Sequence, residues 1–281
     1  MAFEDSAAPD DSALRTPHSA IAVIVALEKE LAHLRAALPA GRDEQRAGRA
    51  FTRTELAGRP LVLVRCGIGM LSAAAVTEAI IIHYAPTAVI NYGCTGAHRE
   101  DVLPGDLVLG ERTVAYDRVR VAPDGTEQYK PMYYLRGEQQ ERIAYLPAAP
   151  ELLTAAHRAA TRLEGQHEPW PLASGWPTGV PHRSPRLFTG VVASADRWNR
   201  AHERIRAIAG LHESLCEDME AAAIALTCAS HDVPFLTIKD ISNNELLRTT
   251  DVTTFATETT GQLGRRAAAL TLATLREMVK T

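Results

Sequence analysis

Four carboxylates mark this sequence for chemistry. Glu28 and Glu30 open a helical stretch, ALEKELAHLRAAL, directly after the short apolar run SAIAVIV (19–25). Asp218 and Glu220 lie in CEDMEAAAIALTCASH, which reads as a second helix, and the apolar run after Glu220 predicts an inward-packing face. Taken singly, each is accounted for by the helix dipole, which favours acidic side chains in a first turn. Taken together, they would set several carboxylates around one sheet edge. Such a pocket repels anions and stabilises positive charge as it develops. Glycine-rich or polar segments mark further strand ends: GIG (67–69) after VLVRC, YGCTGA (92–97) after AVIN, and SNNE (242–245) after LTIKDI. Glycine there lets a small ligand approach the backbone. The lone Gly67-x-Gly69 lacks the rest of a dinucleotide fingerprint. Ser72 stands where a third glycine is wanted, and Asn91 where an acidic residue would end the next strand.

The surrounding composition narrows the chemistry further. The 10 histidines form no HExxH or other tight metal spacing, so no metal is expected. Cys66, Cys94, Cys216 and Cys228 form no CxxC pair, which points to a reduced, cytoplasmic protein. Cys94 has no activating base nearby in sequence and reads as a small buried residue. Lys plus Arg total 30 against 34 for Asp plus Glu, a net charge of -4. That balance argues against nucleic acid or a membrane surface as partner. No apolar run approaches the ~20 residues of a membrane helix. With 281 residues, 46% of them hydrophobic, the chain can bury a core without staples.

These residues need elements to position them. Residues 1–18 carry no basic start followed by an apolar run, and read as a disordered tail rather than a signal peptide. Residues 19–281 read as a single domain. Strands are expected at 19–25, 51–56, 60–66 and 87–92, over LVLGERTVA, RLFTGVVAS and VPFLTIKDIS, and helices over ALEKELAHLRAAL, LSAAAVTEAIIIHY, CEDMEAAAIALTCASH and about 252–280. Residues 118–186 hold more than half of the 16 prolines and read as an irregular insertion in which only ELLTAAHRAATRL is helical. Strands alternating with helices predict a three-layer α/β domain with a mainly parallel sheet.

The order ALEKEL, RCGIGMLSAAA, INYGCTGA, PGDLVL, VVASADRW, EDMEAAAIA, VPFLTIKDIS resembles the nucleoside phosphorylase/nucleosidase superfamily, and within it the 5'-methylthioadenosine/S-adenosylhomocysteine nucleosidases. The resemblance covers about 20–117 and 187–280. It implies a phosphorylase/hydrolase-like αβα fold around a mixed sheet, a homodimer, no cofactor, and cleavage of a purine nucleoside's N-glycosidic bond by water. It further implies that Glu30 orients and deprotonates the water and that Glu220 binds the ribose hydroxyls against Met219. Trp198 would stack on the purine, and the backbone of Asn199 would read the base edge. Cys94 replaces a usual serine near the sugar. Lys239 replaces an arginine that supports the water-binding carboxylate. Ser242, Gly96 and Asp218 complete the implied substrate-binding set.

Asn243 departs from the pattern, because the nucleosidases resembled here have an aspartic acid that protonates N7 of the departing adenine. An amide cannot deliver that proton, but it can hydrogen-bond N7 and face a 6-oxo group. A 6-oxopurine or otherwise activated leaving group is therefore expected. Asp240, two residues before Ser242, is the substitute candidate for the acid, since alternate residues of a strand share a side. A phosphorylase and a non-catalytic nucleoside-binding homologue are the alternatives. Two glutamates in ALEKEL disfavour a phosphate dianion, and retention of Glu30 and Glu220 disfavours mere binding.

Overall fold

A computed structural model describes residues 20–172, 176–249 and 259–279. The expected tail at 1–18 and the expected helical start at 252–258 lie outside the described residues. In chain order the strands and helices are β1 (Ile21–Val25), α1 (Glu28–Arg35), β2 (Arg42–Arg46), β3 (Arg49–Leu56), β4 (Arg59–Arg65), α2 (Met70–Tyr84), β5 (Ala88–Ala97), β6 (Leu107–Ala115), β7 (Val119–Val121), β8 (Glu127–Tyr129), β9 (Met132–Arg136), β10 (Gln139–Ile143), β11 (Leu146–Pro147), α3 (Pro150–Leu163), β12 (Leu187–Ser194), α4 (His202–His212), β13 (Ser214–Asp218), α5 (Ala221–Ser230), β14 (Phe235–Asn243) and a C-terminal helix, Arg265–Val279.

The three layers follow from the alternation of side chains along buried strands. In β1, Ile21, Val23 and Val25 pack with Leu31 and Leu34 of α1, Leu152 of α3, and Leu270 and Leu275 of the C-terminal helix. Ala22 and Ile24 face the other way, onto Val76 and Ile80 of α2 and Ile224 and Cys228 of α5. The central sheet is mixed. β1 pairs in parallel with β4 and β5, and β14 in parallel with β5. β14 meets β6, and β13 meets β5, antiparallel. Through these contacts β5, β14, β6, β12 and β13 pair in a closed ring.

That ring explains two departures from the sequence reading. YGCTGA is not a loop at a strand end. β5 runs on through it, because β14 pairs with it from Val89 to Gly96 and β13 pairs at Gly96 and Ala97. CEDMEAAAIALTCASH is likewise not one helix. Ser214–Asp218 is a strand, held between β12 and β5, and α5 begins only at Ala221. Tertiary pairing overrides local helical preference here. The 118–186 segment is more regular than expected. It holds two small hairpins, β7–β8 and β9–β10, besides the anticipated α3. β2 and α4 are further elements that the sequence reading left unassigned.

Candidate active site

A cavity of about 350 Å³ opens where β5, β13 and β14 end beside α1 and α2. Ten of the residues singled out from sequence line it: Glu30, Cys94, Gly96, Trp198, Asp218, Met219, Glu220, Lys239, Ser242 and Asn243. Of the four initial carboxylates, Glu28 is turned away. It is half-exposed and bonded to Arg35 at 2.7 Å.

Glu30 reaches the cavity from the first turn of α1 and is 1% exposed. The Leu27 N–H donates to its Oε2 (2.9 Å) and the Cys94 N–H to its Oε1 (2.8 Å). The carboxylate lies so close to β5 that a Cβ at Gly93 would fall 2.9 Å from Oε1. Glycine at 93 is what admits it. Two backbone donors fix the carboxylate while each oxygen keeps lone-pair capacity for water. Burial, and the charges of Glu30 and Asp240, push the Cys94 thiol well above its ordinary range, so it is no thiolate nucleophile.

Glu220 stands at the N-cap position of α5, and its Oε1 accepts the Gly69 N–H at 2.9 Å. Burial and the neighbouring Asp218 push its pKa up to about 7. Asp218 accepts the Ser194 hydroxyl (2.5 Å) and the Ala221 N–H (3.0 Å), and pairs with the Lys239 ammonium at 2.8 Å. Burial works against the Lys239 charge, but Asp218 and Glu220 outweigh it and hold its pKa above the usual lysine value. The ion pair of Lys239 is thus with Asp218. It is not with Glu30, the partner expected from sequence, and Glu30 acts on it only as a lesser charge. Replacing Lys239 with Met would leave Asp218 buried without its cation. We expect Lys239→Met to lose about 3–5 kcal/mol of stability, read by urea denaturation. A loss below ~1 kcal/mol would mean that water reaches Asp218.

Two expected site residues fall outside the cavity lining. Asp240 turns its oxygens to the N–H groups of Gly264, Arg266 and Ala267, and so anchors the start of the C-terminal helix. A register shift in β14 between Ile241 and Asn243 breaks the strand alternation that would have set Asp240 beside Ser242. Burial raises Asp240 to about 7, the arginine of Arg266 opposing, yet a helix start occupies its carboxyl. Asn199 is buried, and its N–H, expected to read a base, donates instead to Glu217 Oε1 at 3.1 Å.

Glu217 is a charged lining residue that sequence reasoning missed. The acidic pair Glu217-Asp218 was visible, but assigning it to a helix hid its position at a strand end. Asp196 was missed too. It accepts the Met70 N–H at 2.6 Å, at the start of α2. Trp198 sits at the mouth, 61% exposed.

Fold and site together define an α/β protein with a buried, carboxylate-lined pocket at the ends of its sheet strands. The chain belongs to the phosphorylase superfamily, whose family model matches residues 20–277. It is 31% identical, over 223 residues, to a 5'-methylthioadenosine/S-adenosylhomocysteine nucleosidase of Geobacillus kaustophilus, covering 79% of this chain and 83% of the relative. Among solved structures, it is similar to the Neisseria meningitidis nucleosidase of the same name in complex with methylthio-immucillin-A. There the TM-score is 0.71 at 27% identity, over 92% of this chain and 98% of the other. A futalosine hydrolase of Helicobacter pylori shares the fold, with a TM-score of 0.69 at 16% identity, over 96% and 99% of the two chains.

Proposed function

We propose that this protein is a purine nucleosidase that hydrolyses the N-glycosidic bond, and that it favours a 6-oxopurine or an otherwise activated base. The observation that carries the first part is Glu30 and Glu220 facing one cavity with Met219 between strand and helix. Glu30 takes the proton of the attacking water. Glu220 holds the ribose hydroxyls and stabilises the sugar as it turns cationic. The 31% relative and the Neisseria meningitidis structure support the same reading.

Water is favoured over phosphate by the start of α2. A phosphate would be cradled by the N–H groups at such a helix start. Here the Gly69 N–H is held by Glu220 and the Met70 N–H by Asp196. Two carboxylates stand where a dianion would have to bind.

Asn243 carries the base preference. The Ser242 hydroxyl donates to Asn243 Oδ1 at 2.9 Å, which turns Nδ2 over Gly96, 3.3 Å from where a Cβ would stand. An N–H donor there suits N7 or O6 of a 6-oxopurine and supplies no proton to adenine. Asn243→Asp should shift preference toward the 6-amino base by about 10²-fold, with an acid limb appearing in the pH profile. Equal or better wild-type cleavage of the adenine nucleoside than of its 6-oxo counterpart would sink the bias.

The experiment for the reaction is a panel of adenosine, inosine and 5'-modified nucleosides, assayed by chromatography with and without phosphate. Free base released without phosphate supports hydrolysis. Strict dependence on phosphate indicates a phosphorylase, and tight binding without release a binding protein. We read the active form as a homodimer. Ile68 at the cavity mouth and Leu71 in the next turn, 59% and 84% exposed, are the residues that a second copy would cover. Sedimentation velocity tests it. Among the described residues no helix is long and apolar enough to cross a membrane.

A further inference from the structure

We propose that Glu217 is a specificity-determining residue that accepts an N–H from the edge of the base, namely N1–H of a 6-oxopurine. The inference rests on the nucleosidase reading above and adds to it a residue that neither Asn243 nor the sugar-binding carboxylates account for.

The first observation is register. Glu217 pairs across β13–β5 with Gly96, and Asn243 pairs across β14–β5 with the same Gly96. The two residues therefore flank one glycine from opposite strands, their backbones two strand spacings or about 10 Å apart. Both line the cavity. No side chain rises from position 96 between them, so a flat ring over Gly96 presents one edge to Asn243 and another to Glu217.

The second observation is the donor set around this carboxylate. Glu217 Oε2 accepts the Tyr116 hydroxyl (2.9 Å) and Asn199 Nδ2 (2.6 Å), and His98 Nε2 lies 3.3 Å away. Oε1 accepts the Asn199 N–H (3.1 Å). His98 is steadied in turn by Ser214, 2.7 Å from its Nδ1. Burial raises the carboxyl, but His98 and Asn199 outweigh burial and hold it below the usual glutamate range. Glu217 is thus an ionised, acceptor-only group in a fixed rotamer. Oε2 accepts two donors and has the His98 ring close by. Oε1 has one donor, which leaves it the acceptor for a ligand.

The chemistry follows from what each base offers. With N7 and the 6-substituent at Asn243, the neighbouring ring atom, N1, faces Glu217. In hypoxanthine or guanine N1 carries a proton and donates. In adenine N1 carries a lone pair, which would face a carboxylate unpaired. Asn243 sets one edge of the base, and Glu217 reads the protonation of the next.

The test compares inosine, 1-methylinosine and adenosine on wild type and on Glu217→Gln, all with the same ribose, scored as kcat/KM. Wild type should cleave inosine about 10²-fold better than 1-methylinosine, whose donor is blocked. In Glu217→Gln the inosine-to-adenosine ratio should fall by a similar factor, since an amide can also donate to adenine N1. Equal wild-type rates on inosine and 1-methylinosine overturn the proposal without any variant having to fold. An unchanged ratio in Glu217→Gln overturns it as well. Calorimetric binding of free hypoxanthine, 1-methylhypoxanthine and adenine to the same proteins separates this from failure of the nucleosidase reading. If no nucleoside is cleaved, tighter wild-type binding of hypoxanthine than of its 1-methyl form, lost in Glu217→Gln, still upholds Glu217, and equal binding refutes it.

Discussion

Glu30→Gln should abolish turnover, lowering kcat by about 10²–10⁴-fold, the usual cost of a lost general base. The carboxylate is held by the N–H groups of Leu27 and Cys94 and walled by Gly93, so its position is set before substrate arrives. A glutamine fills the same volume but cannot take a proton from water. Its amide nitrogen would also face one of those two N–H donors. A stability loss of about 1–3 kcal/mol is therefore expected alongside the kinetic one. The two effects separate in one experiment. Thermal melting and nucleoside binding by calorimetry report the fold and the pocket, and chromatography of released base reports turnover. A folded variant that binds nucleoside and does not cleave it is the expected result. A variant within threefold of wild-type turnover would remove Glu30 from the reaction, and another group at the strand end would have to activate the water.

Much of this arrangement was legible in the sequence, for identifiable physical reasons. β1 is short, apolar and β-branched, and Glu30 follows it at the start of an amphipathic helix, so the strand-end carboxylate could be placed from pattern alone. Glu220 was placed in a helix by the apolar run that follows it, and the structure starts that helix just after it, at Ala221. What pattern could not give was pairing at a distance. Nothing local says that Ser214–Asp218 is a strand, because β5 and β12 decide it. With that strand hidden, Glu217 was not singled out. Asp240 failed differently. Strand alternation put it beside Ser242, and a one-residue register shift turned it to the C-terminal helix instead. The partner of Lys239 was assigned by resemblance, and the ion pair with Asp218 depends on side-chain reach that spacing does not encode. The small hairpins at 119–143 carry turn glycines at 125 and 137, but their short polar strands give no periodic signal.

Glu220→Gln should lower turnover by about 10²-fold or more and remove an acid limb from the pH profile. Glu220 shares its surroundings with two carboxylates, Asp218 and Glu30, and with one ammonium, Lys239, which is paired to Asp218. Burial, and then the excess negative charge led by Asp218, raise the pKa of Glu220 to about 7. The sign follows directly. Below pH 7 Glu220 gains a proton and loses the charge that a ribosyl cation needs beside it. Wild-type kcat/KM should therefore fall about tenfold per unit as pH drops below 7, and the glutamine variant should be low and flat across that range. Stability should move the other way. A carboxyl whose pKa is raised on folding binds its proton more tightly in the folded state. Its contribution is present below the unfolded value near 4.5 and is lost as pH rises through 7. At pH 8 the folded protein carries a charge that it holds at a cost. Glutamine keeps an oxygen for the Gly69 N–H and drops that charge, so Glu220→Gln should be at least as stable as wild type at pH 8 by urea denaturation. A variant less stable at pH 8 with unchanged turnover would make Glu220 an anchor for the Gly69 backbone and nothing more. A variant equally stable or more stable, and nearly inactive, identifies a charge kept at the expense of the fold because the cationic sugar needs it.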